Sequence, residues 1–198
     1  MLLVDRTSDA LGVPSVVVDD YTGALRATKH LVKQGCRRIA HIGGQQHVGI
    51  FNLRLKGYID ALNVHNMAVD EDLIVYGKVS IESGCTCMQQ LLMREPVPEA
   101  VFAVEDFTAL GAMQAVKDAG LSIPNDVSVI GFANEAFGEY LTPSLSTVNQ
   151  QTNRMGEAAA ELFFEMTPEQ ANEDFKPRKL VLEPELIVRQ STNRLKNH

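Results

Sequence analysis

Tryptophan is absent from these 198 residues, and aromatic side chains account for only 6% of them. Positive charge is also scarce, because 18 Lys and Arg stand against 25 Asp and Glu and the formal net charge is −7. Surfaces that bind nucleic acids are usually basic and often carry aromatic side chains that stack on bases. The composition therefore argues against nucleic-acid binding by these residues on their own.

Long hydrophobic runs are missing as well. No apolar stretch reaches the roughly 18 residues that a membrane-spanning helix needs. The first residues, MLLVDRTSDALG, have neither the basic region nor the apolar core of a secretion signal. We therefore expect a cytoplasmic protein that has no membrane partner.

Cysteine is limited to Cys36, Cys85 and Cys87, which lack the spacing of a disulfide framework or of a four-ligand zinc site. Signatures of common enzyme classes are missing too: the sequence has no GxGxxG, no Walker A loop and no GxSxG turn. The five histidines show no pairing of a nucleophile with a base. We expect reduced cysteines, no metal, no cofactor and no catalytic residues, and we rank an enzyme third among the possible functions.

What the sequence does contain is an alternation of short apolar runs and amphipathic segments. Strands are predicted at 1–4, 15–18, 37–44, 73–76, 100–104, 126–132, 146–148 and 179–190, and helices at 21–35, 51–64, 81–93, 106–120 and 154–166. The strands are almost purely apolar, which is typical of strands covered on both faces. We therefore predict an α/β fold in which parallel sheets are flanked by helices.

Polar residues and glycines follow several of these strands. In parallel α/β sheets, ligands bind just beyond the carboxyl ends of the strands. The residues at those ends are Asp5, Gly43-Gly44, Gly77, Glu105-Asp106 and Ala133-Asn134. The sequence therefore predicts a small-molecule cleft built from strand ends.

The order of the segments resembles a known family. The stretches VPSVVVDDYTGALRATKHLVKQGCRRIAHIGG, RLKGYIDAL, GKVSIESG, PEAVFAVEDFTALGAMQAVKDAGLSIPNDVSVIGFANE, LTPSLSTVNQ and MGEAAAEL follow one another as in the LacI/GalR transcription regulators. The resemblance covers nearly the whole chain. It implies a two-lobed, periplasmic-binding-protein-like fold with an effector in the cleft. We assign residues 1–44 and 149–176 to the N-terminal lobe and residues 45–148 and 177–198 to the C-terminal lobe.

Regulators of this family begin with a helix-turn-helix headpiece, and the resemblance starts inside their first lobe. It implies operator DNA as a partner only through a missing headpiece, and a homodimer as the working form. Met113 and Tyr140 match positions near the family's dimer contacts, although ordinary packing explains Met113 nearly as well. We also expect the first lobe to be incomplete, with an unpaired sheet edge that favours pairing between chains.

The resemblance also implies ligand-binding residues. Arg54, within LRLKGY, matches an arginine that holds effector oxygens, a role suited to its five N–H donors. Asp5 and Gln150 match further ligand-facing positions. Ordinary alternatives remain open: a solvated arginine on a helix, an aspartate that caps a turn, and a surface glutamine. Positions that line the cleft with apolar surface are matched by Ile50, Phe51 and Val79, although Phe51 could equally belong to the core.

Two departures from the family pattern bear on the ligand. Glu105-Asp106 stands where the family usually has Asn-Asp, and Ala133 followed by Asn134 stands where it commonly has an Asp that binds effector hydroxyls. We hypothesise that Glu105 supplies the missing carboxylate and that Asn134 adds an amide, while pairing of Glu105 with a nearby cation is the alternative.

The leading reading is therefore an effector-binding and dimerisation domain of a transcription regulator that takes a sugar or a related polar metabolite. The second is a soluble solute-binding protein for sugar transport, which has the same fold. The upstream sequence would distinguish the two, since one needs a helix-turn-helix and the other an export signal.

Overall fold

The computed structural model describes residues 1–6, 12–167 and 177–194. Its strands are Leu3–Val4 (β1), Ser15–Val18 (β2), Ile39–Gly43 (β3), Ile74–Tyr76 (β4), Ala100–Ala103 (β5), Ser128–Ile130 (β6), Thr147–Asn149 (β7), Lys179–Leu182 (β8) and Glu185–Ile187 (β9). Its α-helices are Asp20–Lys33 (α1), Gly49–Val64 (α2), Ile81–Leu92 (α3), Asp106–Asp118 (α4) and Thr152–Glu165 (α5). The predicted α/β alternation is confirmed.

The strands form two parallel sheets and one small antiparallel pair. The first sheet has the order β1-β2-β8, and the second sheet has the order β4-β3-β5-β6. β7 and β9 pair in antiparallel fashion. Because strands within each sheet run in the same direction, their carboxyl ends gather at one edge of that sheet.

Local signals in the sequence explain where the helices begin and end. α1 starts after Asp19, whose carboxylate accepts hydrogen bonds from the Thr22 amide at 2.9 Å and the Thr22 hydroxyl at 2.7 Å. The helix ends before Gly35, whose φ of +94° is a left-handed conformation that glycine adopts without steric cost. α3 begins in the same way after Ser80, which accepts from the Ser83 amide at 3.2 Å.

Helices cover both faces of the second sheet. On one face, α1 and α2 bury Leu31 and Tyr58 against Phe102 of β5. On the other face, α3 and α4 bury Leu91 and Met113 against β3 and β5. Met113 is thus a core residue, which agrees with packing rather than with the dimer contact that we considered.

A glycine allows close approach within each helix pair. A Cβ atom at Gly57 of α2 would collide with the carbonyl oxygen of Tyr21 in α1. A Cβ atom at Gly111 of α4 would collide with the carbonyl oxygen of Ile81 in α3. The backbones of both pairs therefore touch, and this contact fixes how the helices lie over the sheet.

The strand pairing differs from the lobe boundaries assigned from the sequence. β3, which we grouped with residues 1–44 of the N-terminal lobe, lies inside the second sheet between β4 and β5. β8, which we grouped with residues 177–198 of the C-terminal lobe, pairs along its whole length with β2 of the first sheet. The chain leaves the first sheet directly after β2. Helix α1 then packs on α2 against the second sheet, so the next strand, β3, joins that sheet. Residues 168–176 and 195–198 of the assigned lobes lie outside the described residues.

Within the first sheet, β1 and β8 form the two edges, and β1 is only two residues long. α5 packs over this sheet, with Met155, Ala158 and Leu162 buried beside Val16 and Val18 of β2. The expected pairing of a free sheet edge between chains stays a prediction.

Candidate functional site

A cleft of about 800 Å³ lies where the carboxyl ends of β1 and β2 meet the amino-terminal end of α2. Its polar side chains belong to Asp5, Arg6, Asp19, Asp20, His47 and Lys179, its apolar ones to Val17, Val18, Val48, Ile50, Leu53 and Val181, and Tyr21 adds an aromatic side chain. Polar groups set beside apolar surface in a cleft are typical of small-molecule sites. The volume is large enough for a molecule of the size of a sugar.

Three carboxylates at strand ends line the cleft, and each has a different local environment. Asp5 follows β1 with a φ of +69°, and its half-exposed carboxylate lies 3.8 Å from Nε of Arg6. Asp19 is engaged as the N-cap of α1. Asp20 is buried in an ion pair with Arg54. Asp5 is therefore the carboxylate with the most room to accept hydrogen bonds from a ligand.

Arg54 lies behind the cleft wall. Its side chain is 2% exposed, and its Nε and Nη2 lie 2.8 and 2.7 Å from the same Asp20 oxygen. Nη1 donates to the carbonyl oxygen of Val104 at 2.7 Å, and the guanidinium carbon lies 3.7 Å from the centre of the Phe132 ring. Burial raises the pKa of the Asp20 carboxyl, while the charge of Arg54 opposes that shift. The pair therefore joins the end of β2 to the core of the second sheet.

Glu105 and Asn134, at the ends of β5 and β6, are held by protein contacts. Glu105 caps α4 by accepting from the Phe107 amide at 2.9 Å, and burial raises the pKa of its carboxyl. Asn134 has a φ of +61°, and its side-chain oxygen accepts from Nη2 of Arg189 at 3.0 Å. Neither of these contacts tests the hypothesis that the two residues together replace the missing aspartate.

The predicted ligand-binding residues fall into three groups. Two of the eight line the cleft: Asp5 and Ile50. Two are buried directly behind it: Phe51 and Arg54. Among the described residues, the wall of the cleft does not include the other four: Val79, Glu105, Asn134 and Gln150.

Sequence reasoning missed most of the residues that line the cleft, and Asp20 is the one among them that binds the buried Arg54. The sequence does contain a signal for Asp20. The doublet Asp19-Asp20 directly follows the buried strand SVVV and is therefore a polar strand end like Asp5 and Glu105-Asp106. The partner of Asp20 is not visible in the same way, since Arg54 is 34 positions away along the chain.

Within the parts of the chain that the structure describes, no helix combines the length and apolar character that crossing a membrane requires. The same parts contain no group of three or more His, Cys, Asp or Glu side chains that could hold a metal ion.

Comparison with known proteins gives consistent matches. Residues 28–192 match the family described as a periplasmic binding protein-like domain. The chain is 38% identical over 186 residues to the HTH-type transcriptional regulator CelR of Thermobifida fusca, a match that covers 91% of this chain and 54% of CelR. It is 33% identical over 195 residues to the HTH-type transcriptional repressor CytR of Escherichia coli K12, covering 98% of this chain and 56% of CytR. The chain thus spans about half the length of the curated relatives it matches.

Solved structures agree with these matches. A CelR–cellobiose complex superposes with a TM-score of 0.88 at 35% identity, covering 96% of this chain and 58% of that chain. A regulatory protein of the LacI family from Chloroflexus aggregans superposes with a TM-score of 0.88 at 29% identity, covering 96% of this chain and 67% of that chain.

Proposed function

Because the chain belongs to the family of periplasmic binding protein-like domains, we propose that it is the effector-binding part of a LacI-type transcription regulator. The effector is a small polar molecule, a sugar or a related metabolite, that occupies the cleft. The observation that carries this proposal is the position of the cleft, at strand ends where carboxylates lie beside apolar side chains. Ligand hydroxyls donate to the carboxylate of Asp5, and the apolar face of a sugar ring packs on Val17 and Ile50. The relative whose structure contains cellobiose supports a sugar.

Binding acts on the relation between the two sheets. The cleft takes Asp5 and Val181 from the first sheet and Ile50 and Leu53 from α2, which covers the second sheet. A ligand that contacts both the first sheet and α2 binds most tightly to the conformation in which the two are closest together. The difference in affinity between this conformation and a more open one is the source of regulation. Operator DNA is contacted by a helix-turn-helix segment outside these residues, and the protein works in the cytoplasm.

The regulator acts as a homodimer that uses the surface around Tyr140. Tyr140 is 84% exposed, in the loop after β6, and a large aromatic side chain so exposed is typical of a contact surface. Replacing Tyr140 with Glu should shift the protein from dimer to monomer in analytical ultracentrifugation. An unchanged dimer would place the contact elsewhere.

Thermal denaturation with a panel of sugars, starting with cellobiose, tests the proposed effector. A ligand that binds only the native state raises the melting temperature. At a ligand concentration of 100 times Kd, the free energy of unfolding increases by about 2.7 kcal/mol. The substitution Ile50→Trp places a larger side chain in the cleft and should reduce the shift, whereas Glu157→Gln on the outside of α5 should retain it. The ligand should be recovered unchanged. A sugar that stabilises the Ile50→Trp variant as strongly as the unsubstituted protein would argue against this cleft.

A further inference from the structure

The Asp20–Arg54 pair has a defined orientation with respect to the cleft. Asp20 is among the residues that line it, whereas Arg54 lies one layer deeper and is covered by protein on its other sides. Asp20 therefore lies between the guanidinium of Arg54 and the cleft, and its carboxylate neutralises that guanidinium. The cleft wall at the end of β2 therefore carries a balanced ion pair, and Asp5 at the end of β1 adds a half-exposed carboxylate.

The donors of Arg54 are already engaged. Nε and Nη2 bond to Asp20 and Nη1 bonds to the carbonyl oxygen of Val104, while the Phe132 ring covers one face of the guanidinium. An anionic ligand that sought this guanidinium would have to displace a buried carboxylate, and a buried arginine holds its partner strongly because neither charge has access to water. Arg54 is thus not available to a phosphate or a carboxylate.

The other cations of the cleft are exposed. The side chain of Arg6 is 67% exposed and lies 3.8 Å from the carboxylate of Asp5. Lys179, the first residue of β8, is also exposed. Charges in contact with solvent are screened and contribute little to binding energy. Neither of them therefore replaces Arg54 as a buried cation that could hold a phosphate.

We propose that Asp20 is a specificity-determining residue that makes the cleft select uncharged, hydroxyl-rich ligands and reject their anionic derivatives, such as sugar phosphates. It does so by neutralising Arg54, the buried cation behind the cleft wall, and by engaging its N–H donors. The hydroxyls of a neutral ligand donate to Asp5, whereas a phosphate would face the Asp5 carboxylate and would find the charge of Arg54 already balanced by Asp20. This inference rests on the proposed function of the cleft.

Calorimetric titration of matched ligand pairs tests it: glucose, ribose and cellobiose, each against its monophosphate ester. For each sugar that binds the unsubstituted protein, the monophosphate should bind at least about 100-fold more weakly, as expected for one unit charge near another at short range. In the Asp20→Asn variant the amide oxygen can still accept from Arg54, but the guanidinium is no longer neutralised. The difference between sugar and phosphate should then shrink to about 10-fold or less.

Two further variants separate local charge from other effects. Glu157→Gln changes the net charge by the same amount on the outside of α5 and should leave the ratio of affinities unchanged. The double variant Asp20→Asn/Arg54→Gln removes the cation as well. The affinity of the monophosphate should therefore not increase relative to the unsubstituted protein. Should Asp20→Asn fail to fold by circular dichroism, the affinity ratio of the unsubstituted protein still tests the proposal, and Asp5→Asn measures how much of that ratio the neighbouring carboxylate contributes.

The outcomes are distinct. A monophosphate that binds the unsubstituted protein as tightly as its sugar overturns the role of Asp20 and leaves the cleft as an effector site. An affinity ratio that is the same in the Asp20→Asn variant as in the unsubstituted protein overturns it as well. Absence of binding by every sugar and every phosphate would instead contradict the proposed function of the cleft itself.

Discussion

The two sheets differ in how fully their strands are covered. Every residue of β3, β5 and β6 in the second sheet is buried. In the first sheet this holds for β2 alone, while β1 and β8 alternate between partly buried and exposed residues, and Val181 of β8 is 54% exposed. The second sheet is covered by a helix pair on each face, whereas the described helices cover the first sheet with α5.

This difference indicates where the stability of the domain resides. Regions with few buried apolar contacts open more readily than regions with a continuous core. The first sheet, which supplies Asp5 and Val181 to the cleft, is therefore the more easily deformed side of the site. A ligand that holds the first sheet against α2 would stabilise the part of the fold that has least stability of its own.

Two equivalent truncations, one beside each sheet, test the comparison with the largest expected effect. Leu91 on α3 is fully buried, so Leu91→Ala should lower the free energy of unfolding by about 2–5 kcal/mol. Leu180 on β8 is only partly buried, and Leu180→Ala should cost less than about 2 kcal/mol. Urea denaturation measures both. Equal losses would mean that the two sheets are equally well packed.

Acid should lower the free energy of unfolding through His41, a buried residue of the second sheet. This residue lies on β3 between the rings of Tyr58 and Phe102, and Nδ1 donates to the Phe102 carbonyl oxygen at 2.9 Å. Nε2 is then the unprotonated acceptor, and it has no hydrogen-bond partner among the described residues. Burial lowers the pKa of His41 from 6.5 to about 4.

The sign follows from proton binding. Between pH 6.5 and about 4 the unfolded state binds the proton and the folded state does not, so stability falls as the pH falls through this window. The loss attributable to His41 should approach about 3 kcal/mol at the acid end. The His41→Phe variant should lack this part of the pH dependence, and substitution of the exposed His65 should keep it. Identical pH profiles for His41→Phe and the unsubstituted protein would rule out this origin of acid sensitivity.

The sequence was sufficient to predict the elements of the fold. The predicted helices at 51–64 and 81–93 agree within two residues with Gly49–Val64 and Ile81–Leu92. The resemblance to LacI/GalR regulators is confirmed by the family match and by the relatives. Local periodicity and caps reveal such elements because their signals lie within a few residues. The lobe boundaries that we assigned separate β3 from β4 and β5 and separate β8 from β2, because pairing between distant strands leaves no local signal.

The site was less predictable for the same reason. Asp5 and Ile50 line the cleft because strand ends and helix starts can be read from adjacent residues. The burial of Arg54 depends on Asp20, Val104 and Phe132, which come from three separate segments of the chain. A motif can identify the arginine, but the charge that reaches the ligand depends on these tertiary contacts.

The smallest expected effect sharpens the comparison within the first sheet itself. Val17 of β2 and Val181 of β8 are paired neighbours that both line the cleft, yet they are 6% and 54% exposed. Val17→Thr buries a hydroxyl and should cost about 1–3 kcal/mol. Val181→Thr leaves its hydroxyl in water and should change the free energy of unfolding by no more than about 0.5 kcal/mol. Urea denaturation of both variants measures the difference in the free energy of unfolding. Equal losses would mean that β8 is as well covered as β2, and the first sheet would then not be the more easily deformed side of the cleft.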